Sequence, residues 1–214
     1  MSQNQIKWLA VVLMLIDHIG FMIEAEPMRI IGRLSFPMFA WVFAKNWERR
    51  KADDSPKKLI NRLILFGILA QIPYILLLTN LRINILISFA LVAITLDRVH
   101  KLTGNQKIIA VIIGCISAEV LGVDYGWYSL ICTLMMINLK GSGGKRWWIT
   151  CLIVNIVYCI SAKSYIQIFG ILTPTVLSLH DTTKDKKPTT IEKKFFYYFY
   201  PIHLAGLAAL RTIL

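Results

Sequence analysis

Asp17 and His18 sit side by side in "LMLIDHIG" (residues 13–20), inside a stretch from Ile6 to Ile23 that is otherwise apolar. An imidazole changes charge near neutral pH, so it can take a proton from an amine or hydroxyl, or carry an acyl group briefly. A charge-capable group in hydrocarbon costs on the order of 3 kcal/mol even on permissive insertion scales, and such residues usually mark sites. Lys7 precedes His18 by eleven residues. On a helix that is just over three turns, so the two side chains share a face and lie about 16 Å apart. A cation at one end of a stripe and an imidazole at the other suit a long anionic ligand with a reactive end; coenzyme A carrying an acyl thioester has that shape. Asp17 points about 100° away from His18, so spacing does not make it the orienting partner of that imidazole. Asp124 and Glu119 are better candidates.

Further polar residues interrupt later apolar runs. Arg29 and Arg33 are four apart and share a helix face. Asn84 opens another run, Glu119 closes one, Asp124 and Tyr125 occupy a turn, and His203 follows Pro201 in "FYPIHL" (199–204). Arg33 and Asn84 can stabilise a thioester oxyanion. His203 either packs through a hydrogen bond or belongs to a proton path. The four cysteines, Cys115, Cys132, Cys151 and Cys159, lie in apolar segments without CxxC spacing or a neighbouring histidine. They read as packing residues, and no metal site is expected. "KGSGGK" (140–145) lacks both the spacing of a phosphate-binding loop and the Ser or Thr after its lysine, so it reads as a turn.

These residues need helices in a membrane to position them. The 214-residue chain is 56% hydrophobic and only 17% charged, against roughly 25% charged in soluble domains; its mean hydropathy is +0.59. Apolar runs predict an all-α, polytopic membrane bundle, one domain over 1–214, with nine spans: 6–23, 28–45, 59–79, 83–98, 107–122, 126–139, 147–160, 164–180 and 195–214. Pro37 and Pro201 fall within spans two and nine, where each removes a backbone hydrogen bond. The net charge of +12 is carried by loops that alternate in basicity. "KNWERRKADDSPKK" (45–58), "RVHKLTGNQK" (98–107), "KGSGGKR" (140–146) and "DTTKDKKPTTIEKK" (181–194) are rich in Lys and Arg, while "EAEP" (24–27), "TNLR" (79–82), "VDYG" (123–126) and "SAKS" (161–164) are poorer. The basic charge therefore reads as a topology signal rather than a nucleic-acid site, with the N-terminus in the cytoplasm and the C-terminus outside. That topology brings Asp17, His18, Arg29, Arg33, Asn84, Asp124 and Tyr125 to one depth near the outer face, with Glu119 a little deeper, as a polar cavity in which the two arginines balance Asp17, Glu119 and Asp124. His203 is about mid-membrane.

Six stretches, "LMLIDHIG", "RIIGRLSFPMFAW" (29–41), "QIPY" (71–74), "NILISFAL" (84–91), "DYGWYSL" (124–130) and "FYPIHL", resemble the signature blocks of the TraX family, the conjugal pilin acetylation proteins, in the family's order and through nearly the whole chain. The resemblance implies a multi-pass enzyme of the bacterial inner membrane that transfers acetyl from acetyl-CoA, in the type member to the pilin N-terminus. The family is also distantly similar to larger transmembrane acyltransferases, whose motif sets ten residues between an Arg or Lys and a following His. Lys7 and His18 fit it, which implies His18 as the catalytic residue and Lys7 as a coenzyme A contact. Arg33, Asn84 and His203 fall in matching blocks. The chain lacks the additional spans and soluble domains of those larger enzymes. The reading is an acetyl-CoA-dependent acyltransferase acting on a protein or glycan acceptor through an amine or hydroxyl. The alternative is a small proton-coupled transporter with Asp17, His18, Glu119 and His203 as its relay; a non-catalytic assembly factor is a third reading.

Overall fold

The computed structural model describes residues 1–50, 56–138, 144–186 and 189–213. Among these the secondary structure is helical, apart from an isolated bridge between Ile83 and Val123, as the apolar runs predict. The chain forms two compact units: Met1–Glu48 with Cys132–Glu192, and Arg49–Ile131 with Lys193–Leu214. Each unit combines an earlier and a later part of the chain, so neither is one contiguous segment.

In the first unit, α1 (Gln3–Met22) opens with a capping box. The Gln5 N–H donates to Ser2 Oγ at 3.2 Å and the Ser2 N–H to Gln5 Oε1 at 2.8 Å, satisfying two amides that lack helical partners. The chain turns at Glu24, which has a positive φ, and α2 (Glu26–Gly32) folds back along α1. Two glycines allow that approach: a Cβ on Gly32 would lie 2.3 Å from Asp17 Cβ, and one on Gly20 would lie 2.6 Å from Met28 Cβ. The helix breaks at Arg33–Leu34 and α3 (Ser35–Arg50) follows. The expected single span over 28–45, with Pro37 inside it, is therefore corrected to two helices. Pro37 is the third residue of α3, where its missing N–H costs nothing, and the break precedes it.

The later part of this unit contains most of α7 (Gly126–Asn138), then α8 (Lys145–Ala162), a 3₁₀ turn (Ile166–Leu172) and the short α9 (Thr173–Leu177). The expected span over 164–180 is thus a segmented piece. Hydrogen bonds tie the unit at both ends. The Met1 amino group donates to the Leu179 carbonyl, the Asp181 N–H donates to Met1 O at 2.8 Å, and the Gln3 N–H donates to Asp185 Oδ1 at 2.7 Å. At the far end the Tyr165 hydroxyl donates to Glu26.

The second unit packs α4 (Pro56–Leu78), α5 (Ile85–Lys101) and α6 (Asn105–Val120) in sequence, and contains most of α10 (Thr190–Arg211). Pro73 and Pro201 lie inside α4 and α10. The Arg211 guanidinium reaches back to the Leu77 carbonyl at the end of α4. Among the described residues, α1 and α4 are long and apolar enough to cross a membrane.

Candidate functional site

Asp17 is buried on the α1 face that meets α2, and both arginines expected near it converge on its carboxylate. Arg29 Nε donates to Oδ1 at 3.3 Å, Arg33 Nε donates to Oδ1 at 3.2 Å, and Arg33 Nη2 donates to Oδ2. Arg29 also lies over the Phe21 ring, 4.9 Å from its centroid. A buried carboxylate between two half-buried guanidinium groups is a compensated cluster; removing the acid would take a counter-charge from both cations. Gly32 is what lets the chain bring Arg29 and Arg33 this close, because any side chain there would occupy the position of Asp17. His18 is the next residue of α1 and is half-buried. Lys7 lies on the same continuous helix, near Glu192, whose carboxylate also accepts from Asn4 Nδ2 at 3.5 Å.

The second unit gathers a different cluster. Asn84 is fully buried and caps α5, accepting from the Leu86 N–H at 3.1 Å. Its amide donates to the Gly67 carbonyl and to Gln71 Oε1, both at 2.7 Å, so it fastens α4 to α5. Asp124 lies in a turn that the Ile83–Val123 bridge holds beside Asn84, with the Asp124 N–H on the Ile83 carbonyl at 2.7 Å. The Tyr74 hydroxyl donates to the Asp124 carboxylate, and Ser88 Oγ donates to the Asp124 carbonyl at 2.8 Å. Tyr200 is close to Asp124 and accepts from the Ile85 N–H. The turn then passes through positive φ at Tyr125 and Gly126. Glu119 closes it by accepting from the Trp127 N–H at 2.8 Å. His203 Nδ1 donates to the Phe199 carbonyl at 2.8 Å, and its ring stacks on Phe199.

Lys7, Asp17, His18, Arg29 and Arg33 thus belong to the first unit; Asn84, Glu119, Asp124 and His203 belong to the second. Of the three acids expected to balance the arginines, Asp17 lies in their unit and pairs with both. The blocks "LMLIDHIG" and "RIIGRLSFPMFAW" build the first cluster, and "QIPY", "NILISFAL", "DYGWYSL" and "FYPIHL" each supply a residue to the second. Sequence reasoning missed Tyr74 and Tyr200, although both lie in those blocks. It also missed His180, whose Nε2 is 3.1 Å from the Asp185 carboxylate and whose ring meets the Trp41 ring edge-on at 4.7 Å. A five-residue separation has no helical meaning, so no spacing signal marked that pair.

Fold and site define a class: a protein, helical among its described residues, that pairs a buried aspartate with two arginines beside a histidine on an apolar helix. The comparisons give the family. The model described as TraX protein matches residues 2–211, and the chain belongs to the TraX family. It is 31% identical to Protein TraX of Escherichia coli, over 98% of this chain and 87% of that one. It is 24% identical to the Probable fimbrial assembly protein FimC, serogroup H1, of Dichelobacter nodosus, over 100% of this chain and 97% of that one. A third relative, Uncharacterized protein RP591 of Rickettsia prowazekii (strain Madrid E), is 40% identical over 42% of this chain and 34% of its own. No solved structure matches the chain.

Proposed function

We propose that this protein is a multi-pass acetyltransferase of the bacterial inner membrane, moving acetyl from cytoplasmic acetyl-CoA to an amine or hydroxyl on a protein or glycan. The observation that carries the reading is the buried Asp17, paired with Arg29 and Arg33, next to His18 on α1. Membership of the TraX family supports the chemistry, and the name of the fimbrial assembly relative fits an acceptor among surface-appendage proteins. The multi-pass reading is supported by apolar side chains that stay exposed: Leu65, Ile68, Ile72 and Leu76 on α4, Ile109, Ile112 and Ile116 on α6, and Ile153, Ile156 and Ile160 on α8. Such faces need lipid or protein against them.

In this mechanism His18 takes the proton from the acceptor's N–H or O–H as the acceptor atom bonds to the thioester carbonyl carbon. Arg33, fixed by Asp17, offsets the charge on the carbonyl oxygen. The carbon–sulfur bond then breaks, His18 returns the proton to the departing thiolate, and free coenzyme A and the acetylated acceptor result. Lys7, three turns away along α1, contacts the coenzyme A phosphates.

The test is thiol release from acetyl-CoA by the purified protein, in the presence and absence of amine and hydroxyl acceptors. Wild type should release coenzyme A, and His18→Ala should do so at least about 100-fold more slowly, the usual cost of losing a general base. A His18→Ala protein with more than a tenth of wild-type turnover removes His18 from the chemistry.

A further inference from the structure

Arg62 is a cation on the exposed side of α4, a helix long and apolar enough to cross a membrane. It lies about 9 Å along the axis from Pro56, so it stands within the helix rather than in the basic loop before it. Its Cζ lies over the Tyr197 ring, 5.9 Å from the centroid. Among the described residues no carboxylate pairs with Arg62, Lys57 or Lys58. The exposed side of α4 is ordered along its length. Lys57, Lys58, Asn61 and Arg62 come first, and every exposed position from Ile64 to Leu76 is apolar. In the same unit, α10 repeats that order: Lys194, Tyr198 and Ile202 are exposed and four apart, which sets them on one face. The two helices run parallel. Arg62 and Phe66 meet Tyr197 and Tyr198 at one end, with Tyr198 edge-on to Phe66 at 5.2 Å, and Arg211 reaches the Leu77 carbonyl at the other. Their shared face therefore gathers cations at one end and apolar side chains over about 20 Å beyond it.

Water suits the cations of this face but not its apolar length. Hydrocarbon alone suits the length and leaves the cations without counter-charge. A phosphate that carries acyl chains satisfies both ends. A guanidinium matches phosphate oxygens, and the ring beneath it holds its plane. Basic groups where transmembrane helices meet on the cytoplasmic side are places where anionic headgroups bind, and the loops leading into α4 and α10 are both expected on that side. We propose that the exposed face shared by α4 and α10 binds one anionic phospholipid. Its phosphate sits on Arg62, flanked by Lys58, four residues earlier on the same face, and by Lys194, one turn before Tyr197. Its acyl chains run along Leu65, Ile68 and Ile72 of α4 and Ile202 of α10. Such a lipid ties together two helices that are remote in the sequence. The site rests on the multi-pass membrane reading above and is independent of acetyl transfer.

Native mass spectrometry of the delipidated full-length protein in a neutral detergent tests it, with phosphatidylglycerol, phosphatidylcholine and glycerol 3-phosphate as separate probes. Wild type should bind one phosphatidylglycerol about tenfold or more tighter than phosphatidylcholine, because several basic side chains favour the anionic lipid. Glycerol 3-phosphate at the same concentration should not displace it. Arg62→Gln and Lys58→Gln should each raise the Kd for phosphatidylglycerol about fivefold, the worth of one basic residue at a lipid surface, and leave phosphatidylcholine binding unchanged. Lys107→Gln removes an exposed charge from the start of α6 in the same unit and should alter neither. Equal Kd values for the two lipids in wild type overturn the site. Equal losses in Lys107→Gln and Arg62→Gln overturn it too, since diffuse surface charge would act so, and displacement by glycerol 3-phosphate would make it a free-phosphate site. A wild type that is dimeric and takes up no lipid would give the face to a second copy of the chain. If Arg62→Gln does not fold, Lys58→Gln decides. Protein recovered from cells without detergent would remove the site and the membrane reading together; membrane-extracted protein with no lipid preference removes the site alone.

Discussion

Asp17 holds two guanidinium groups with one carboxylate, which makes its charge more consequential than its size. Asp17→Asn keeps the shape and removes the charge, leaving the half-buried Arg29 and Arg33 guanidinium groups beside a neutral amide. Breaking a fully buried pair by removing one partner costs about 3–5 kcal/mol and an exposed one about 1 or less, so this part-buried cluster should show a loss of about 1–3 kcal/mol in thermal unfolding in detergent. A variant as stable as wild type would mean that the arginines reach solvent. Lys7 differs in kind. Its expected contact is with phosphates and is the same in ground and transition states, so Lys7→Ala should raise KM for acetyl-CoA with kcat little changed. Steady-state kinetics decide it: a collapsed kcat at unaltered KM would put Lys7 beside the reacting atoms instead.

Among the elements, the break between α2 and α3 separates two explanations of the same local sequence. Proline at the third position of a helix removes no hydrogen bond, whereas a Cβ at Gly32 collides with Asp17. Pro37→Ala should therefore change stability by less than about 0.5 kcal/mol, while Gly32→Ala should cost roughly 1–3 kcal/mol or more by overpacking. Paired denaturation curves check both, and the opposite order would make Pro37 the cause of the break. The helices themselves were legible: hydropathy located α1, α4, α5, α6, α7 and α8 to within a few residues, because long apolar runs leave few alternatives. Breaks inside a run were not, since the Arg33–Leu34 step and the segmented stretch 166–177 remain apolar while departing from α-helix. Nor were partners: spacing can place Arg29 and Arg33 on one face, but only the turn at Glu24 and the approach at Gly32 bring Asp17 between them. Tyr74 and Tyr200 carried no spacing signal, because only the fold brings them to the Asp124 turn.

For the whole molecule, the alternating loop charges make a statement that each unit supports separately. In the first unit the N-terminus bonds to residues 179–185, both expected in the cytoplasm, and Glu26 bonds to Tyr165, where both flanking loops are expected outside. In the second, the Ile83–Val123 bridge joins two turns expected outside. In a cysteine-free background, Glu26→Cys should react with a membrane-impermeant thiol reagent added to intact cells, and Lys186→Cys should react only after lysis. The reverse pattern would invert the topology and move acetyl transfer to the cytoplasmic side.

The central claim is acetyl transfer by His18, and it is tested most directly in cells. Mass spectrometry should compare acetylated proteins and glycans in a strain lacking the gene, complemented with wild type or with His18→Ala. The account predicts at least one acetylated species that is lost with the gene, returns with wild type and stays lost with the variant, although the variant reaches the membrane at wild-type levels. An acetylation profile identical in all strains, or fully restored by His18→Ala, would contradict it.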